Sequence, residues 1–142
     1  MCGRYRLSRR KQIIAEHFDV VPDDDDDWTP RYNVAPTQPV PIIRQHPKEP
    51  RRDLSLVRWG LIPSRAKDAS GSAGMINARS ESAAIKPAFR DALKSRRCLV
   101  PADGFYEWSR AGKTKQPCCF EVNDGDLFAF AGLWERWKDP SG

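Results

Sequence analysis

The sequence predicts an α+β domain, an antiparallel β core flanked by short helices. From Cys98 onward, short apolar and aromatic runs ("CLVPA", "GFYEW", "PCCFEV", "LFAFAGLW") alternate with turn-like "SRAGKTKQ" and "NDGD", the signature of hairpins. Two further strand-like runs, Val40 to Arg44 and Leu54 to Trp59, flank a "QHPKEPRRD" turn. Helical spacing is confined to short stretches, and 142 residues suit one domain.

Taken in order, Ser8 is placed to cap a helix running through Phe18, with Ile13, Ile14 and Phe18 on one side. "VPDDDDDWTPRYNVAPTQP" combines five acids with four prolines, excludes helix and central strand, and reads as a long surface loop with Asp23 to Asp27 facing solvent. "IPSRAKDASGSAGMINARSE" offers little to a core before Met75 and reads as a functional loop. Pro87 to Lys94 has Pro in its first turn and Phe89 and Leu93 four apart, which fits a helix. The segment from Cys98 is then expected to form an antiparallel meander. Its last strand ends in "LWERWKDPSG", and a strand neighbour is expected from further chain.

Composition narrows the function. No run of about 18 apolar residues and no apolar leader occurs, so an intracellular protein without a membrane partner is expected. Cys2, Cys98, Cys118 and Cys119 show no C-x-x-C spacing, so neither a disulfide framework nor a metal site is indicated. Phosphate-loop, zinc-peptidase and dinucleotide fingerprints are absent too. Residues 28–100 carry 14 Lys or Arg against 5 Asp or Glu, an excess of nine. A basic middle suits a phosphate backbone, or is simply a solvated face.

Four positions invite chemistry. Removal of Met1 would leave Cys2 with a free α-amine beside its thiol, a 1,2-aminothiol whose groups titrate near pH 8. Arg4 and Arg6 nearby are expected to favour thiolate. Such a pair condenses with aldehydes: the amine gives an imine and sulfur closes a five-membered thiazolidine. Glu107 in "DGFYEW" shares a strand face with Phe105, opposite Tyr106 and Trp108, a setting suited to acid–base work or equally to an edge glutamate facing water. Asn77 and Arg79 in "MINARSE" suit orienting a reacting group and holding a phosphate. Each of these residues, taken singly, is open to an ordinary structural role.

The blocks "MCGRY", "RYNVAPTQ" (31–38), "VRWGLIP" (57–63), "INARSE" (76–81) and "CLVPADGFYEW" (98–108), in this order, together resemble the SOS-response-associated peptidase (SRAP) family. The resemblance runs from residue 2 to about 134. It implies a mixed domain with a β-barrel-like core, acting as a monomer without a cofactor. Its terminal cysteine captures the ring-opened aldehyde of an abasic site in single-stranded DNA as a thiazolidine. By the same resemblance Asn77 positions Cys2, Glu107 moves protons, Arg4 and Arg79 hold phosphates, and Pro36 lies beside the DNA channel. Ser64 and Arg65 stand where some members carry an aromatic pair. The family's histidine belongs to a later "HxRMP"-like segment that neither His17 nor His46 matches, so residues 1–142 are expected to be one SRAP domain incomplete at its C-terminus. Two other activities fit the same residues: an N-terminal-nucleophile cysteine peptidase that removes its own Met1, and a non-covalent single-stranded DNA-binding module.

Overall fold

The computed structural model describes residues 2–22 and 28–142; Met1 and Asp23–Asp27, read above as a removable leader and a solvent-facing acidic run, lie outside the described residues. The chain forms two sheets. In the first, β1 (Tyr5–Leu7) lies between β3 (Arg31–Val34) and β7 (Gly104–Ala111), and β7 turns into β8 (Thr114–Phe120), all antiparallel. The second is built from β2 (Val21–Pro22), β4 (Pro39–Gln45), β5 (Arg52–Arg58), β6 (Arg97–Ala102) and β9 (Phe128–Leu133), in the order β2-β5-β4-β6-β9. Among the described residues only the two-residue β2–β5 pairing is parallel. The helices are short: α1 (Lys11–Phe18), α2 (Ser80–Ala83) and α3 (Arg90–Ser95).

The α+β class stands, but the described residues form two separate sheets and no closed barrel. The expected meander is also replaced. β6 ends at Ala102 and β7 begins at Gly104, so the chain changes sheets across Asp103, and β9 returns to pair with β6 and not with β8.

Asp103 makes that crossing possible. Its side chain is fully buried, and Arg6 Nε reaches Oδ1 at 2.6 Å while the Ser8 N–H and hydroxyl donate to Oδ2 at 2.6 and 3.0 Å. Arg6 also donates to the Asp103 carbonyl at 2.9 Å and pairs with Glu121 at 2.6 Å. A buried carboxylate is tolerable only when compensated in this way. Arg6→Ala removes the main countercharge and is expected to lower unfolding stability by about 3–5 kcal/mol, read from urea titration. An unchanged midpoint would show that the two Ser8 donors suffice.

Ser8 is therefore not a helix cap. Arg10 occupies the N-cap of α1 without a side-chain bond, and the helix buries Ile14 while leaving Ile13 47% exposed. It stops at Asp19, whose left-handed φ of 51° accompanies a bond from Val20 N–H to the Ala15 carbonyl at 3.0 Å. The described parts of the proline-rich segment hold two strands in place of the expected loop, β2 and β3, both at sheet edges where proline-flanked strands are tolerated. The helix expected over Pro87–Lys94 begins at Arg90, after a turn in which the Phe89 and Arg90 N–H groups both bond the Lys86 carbonyl.

Between the sheets Tyr5, Leu7 and Val34 pack with Val40, Ile43 and Leu54, and Ile14 closes the cluster from α1. Burying side chains of this size contributes about 1.5–3 kcal/mol each. β4 is the central strand of its sheet, between β5 and β6, and its apolar run Val40–Ile43 is buried at four successive positions, so both faces of the strand are covered there.

Candidate active site around Cys2

Strand pairing brings the N-terminus to Glu107. Tyr5 lies opposite Phe105, and the Tyr106 N–H donates to the Arg4 carbonyl at 3.0 Å, so residues before Arg4 run alongside the Glu107 end of β7. The opposite wall comes from the segment after β5. Thr37 N–H donates to the Trp59 carbonyl at 2.8 Å, Leu61 N–H donates to the Met75 carbonyl at 3.0 Å, and Trp59 Nε1 donates to the Ile76 carbonyl at 2.8 Å. Residues 61–76 are thus a loop pinned at its base. The pinned end delivers Asn77, whose Nδ2 donates to the Cys2 carbonyl at 2.7 Å.

Gly60 allows this geometry. Its φ is +126°, and a Cβ there would lie 2.8 Å from the Ser72 carbonyl oxygen. Gly60→Ala is expected to cost roughly 1–3 kcal/mol and to loosen the Asn77 contact, read as a lower thermal midpoint. A midpoint equal to that of the unaltered chain would show that the loop base relaxes freely.

These walls enclose a cavity of about 590 Å³ lined by Cys2, Tyr5, Trp59, Asn77, Phe105 and Glu107 among others. The Cys2 side chain is half-buried, and its thiol pKa is raised, first by burial and then by the Glu107 carboxylate; backbone N–H groups of Cys2 and Arg4 pull the other way. This reverses the expectation that Arg4 and Arg6 favour thiolate. Arg6 is committed to Asp103 and Glu121, and Arg4 Nη1 donates to Asn33 Oδ1 at 3.1 Å. A thiol kept protonated beside a carboxylate is equipped to give up its proton as sulfur attacks. Cys98 also lines the cavity, but burial pushes its thiol up to about 11, which leaves it a packing group.

The structure brings Cys2, Asn77 and Glu107 to one cavity. Arg4, Pro36 and Arg79 are outside its walls: Pro36 is half-buried in the turn after β3, and Arg79 is exposed at the start of α2. His17 packs edge-on against Phe18 at 4.8 Å, and His46 Nδ1 accepts from the Glu49 N–H at 2.9 Å; neither lines the cavity. Among the described residues no group of three or more His, Cys, Asp and Glu is arranged to hold a metal, and all four cysteines are free thiols. Sequence reasoning missed Trp59 and Tyr5 as parts of the site. The Trp-Gly step in "VRWGLIP" was the available signal for the first.

The family model for SOS response associated peptidase (SRAP) matches residues 1–142. Abasic site processing protein YoqW of Bacillus subtilis is 44% identical over 146 residues, covering 100% of this chain and 63% of that protein. Abasic site processing protein HMCES of Gallus gallus is 32% identical over 143 residues, covering 81% of this chain and 43% of that protein. A crystal structure of a protein from Bacteroides thetaiotaomicron superposes with a TM-score of 0.85 at 26% identity, covering 97% of this chain and 62% of the other. One from Bordetella bronchiseptica gives 0.80 at 28% identity, covering 99% and 67%. The chain therefore spans less than two thirds of the length of these curated relatives.

Proposed function

The chain belongs to the SOS response associated peptidase (SRAP) family, and from that premise we propose that it processes abasic sites, capturing the ring-opened sugar in single-stranded DNA as a thiazolidine on Cys2. The observation that carries this reading is the 2.7 Å bond from Asn77 to the Cys2 carbonyl within the cavity that Glu107 also lines.

Once Met1 is removed, the Cys2 α-amine adds to the C1′ aldehyde carbon. The resulting carbinolamine loses water to give an imine. Sulfur then adds to the imine carbon while the thiol proton passes to nitrogen, closing the ring with a net release of one water. Holding the Cys2 carbonyl fixes the residue from which both nucleophiles project, which lowers the entropic cost of each step. Glu107 accepts and returns protons during dehydration and ring closure. Arg4, partly exposed, and Arg79, exposed, engage phosphates, and Pro36 meets the strand beside the lesion.

Intact-mass measurement after incubation with an abasic single-stranded oligonucleotide tests this. The expected product is protein lacking Met1, plus oligonucleotide, minus one water. A folded, Met-processed sample that leaves the oligonucleotide unmodified overturns the covalent reading. Salt-sensitive binding without a covalent product would then indicate a DNA-binding module, and turnover of a peptide without DNA would indicate a peptidase.

A further inference from the structure

Tyr5 is a core residue with an unexplained polar end. It is 2% exposed, and its ring is held edge-on by Trp59 at 5.4 Å and Phe130 at 6.0 Å. Pairing of β1 with both β3 and β7 fixes its backbone opposite Val34 and Phe105. Packing alone would be served as well by phenylalanine. Yet the Tyr5 hydroxyl is buried without a hydrogen-bond partner, an arrangement that proteins avoid. Two other buried side-chain atoms among the described residues, Trp28 Nε1 and Arg96 Nε, also lack a hydrogen-bond partner, while Asp53 Oδ1, without a hydrogen bond, is ion-paired to Arg51 at 2.8 Å; none of the three belongs to a residue lining the Cys2 cavity. Tyr5 does line it, with Cys2, Asn77 and Glu107.

We propose that the Tyr5 hydroxyl is a donor for the substrate oxygen, hydrogen-bonding the oxygen on C1′ of the ring-opened sugar while the Cys2 amine adds to that carbon. This assignment rests on the covalent-capture reading and extends it by one catalytic group. As the N–C1′ bond forms, the carbonyl π pair moves onto that oxygen, which takes a proton from the amine nitrogen. The carbinolamine hydroxyl then takes the second proton of the nitrogen, relayed by Glu107, as the C–O bond breaks, water leaves and the nitrogen lone pair completes the imine. Tyr5 keeps its own proton throughout and stabilises charge as it builds on oxygen. Burial holds the phenol well above its ordinary range, outweighing the opposing pull of the Arg31 cation, so it remains a donor at neutral pH.

The test compares the Met-processed protein with its Tyr5→Phe variant, which keeps both ring contacts. Three quantities are measured: the rate of adduct formation with abasic single-stranded DNA, the affinity for the same strand carrying a tetrahydrofuran abasic analogue that lacks the C1′ oxygen, and the thermal midpoint. The expected result is adduct formation slowed roughly tenfold, with analogue affinity unchanged and a midpoint equal or higher. Equal adduct rates in the two proteins overturn the Tyr5 assignment alone. A rate loss matched by lost analogue binding or a lowered midpoint also overturns it, because the residue would then be structural. If the unsubstituted protein forms no adduct, the covalent reading fails and the Tyr5 assignment falls with it.

Discussion

Cys2→Ser is expected to lose the heat-stable adduct with abasic DNA completely while still forming an imine that borohydride traps. The serine variant keeps the α-amine, so the first condensation survives, but a hydroxyl is a far weaker nucleophile than sulfur toward the imine carbon. Asn77 grips the backbone carbonyl of residue 2 and not its side chain, so the amine stays positioned. Cys2 is only half-buried at the margin of the core, and the substitution should change stability by no more than about 1 kcal/mol. Mass spectrometry with and without borohydride separates the outcomes. A heat-stable adduct on the serine variant without reductant would place the linkage elsewhere, and absence of a trapped imine would remove the amine from the mechanism.

Much of the fold was legible from local pattern. β4, β5 and the four strands from Cys98 onward emerge from apolar and aromatic runs bounded by turns, most within a residue or two of their observed limits, although β7 runs three residues past "GFYEW" and β8 begins three before "PCCFEV", so the hairpin between them is tighter than "SRAGKTKQ" suggests. What stayed hidden depends on contacts distant in sequence. The change of sheet between β6 and β7 rests on Asp103 meeting Arg6, 97 residues away, and no periodicity reports such a pair. β3 was hidden by its prolines, since a strand that forms only because β1 offers a partner has little signal of its own.

The site divides the same way. Cys2 declares itself by position, and Glu107 by its alternation with aromatic residues. Their electrostatic relation did not, because sequence proximity suggested that Arg4 and Arg6 would govern the thiol. Folding commits those guanidinium groups to Asn33, Asp103 and Glu121, and leaves burial and a carboxylate from the far end of the chain in control. Tyr5 shows the reverse. As a strand residue it reads as core, and only the absence of a partner for its hydroxyl sets it apart.

Because the Glu107 carboxylate adds to the effect of burial on the thiol, Glu107→Gln is a variant with effects of opposite sign on two reactions of one cysteine. Glutamine preserves shape and hydrogen-bonding capacity but cannot carry a proton between amine, oxygen and sulfur. Adduct formation should therefore fall by about a hundredfold or more, the usual scale for a lost acid–base group. The carboxylate also disfavours the thiolate, so removing its charge lowers the Cys2 pKa. At a fixed pH below that pKa more thiolate is present, and alkylation of Cys2 by iodoacetamide should be faster than in the unsubstituted protein, with its pH midpoint moved down. Peptide mapping assigns the alkylation to Cys2 among the four free thiols. Misfolding would not be expected to slow the adduct while lowering the pH midpoint of a thiol that stays half-buried. If the variant loses both reactions together, Glu107 supports the site's shape and is no proton carrier; if the midpoint stays fixed, the carboxylate does not control the thiol.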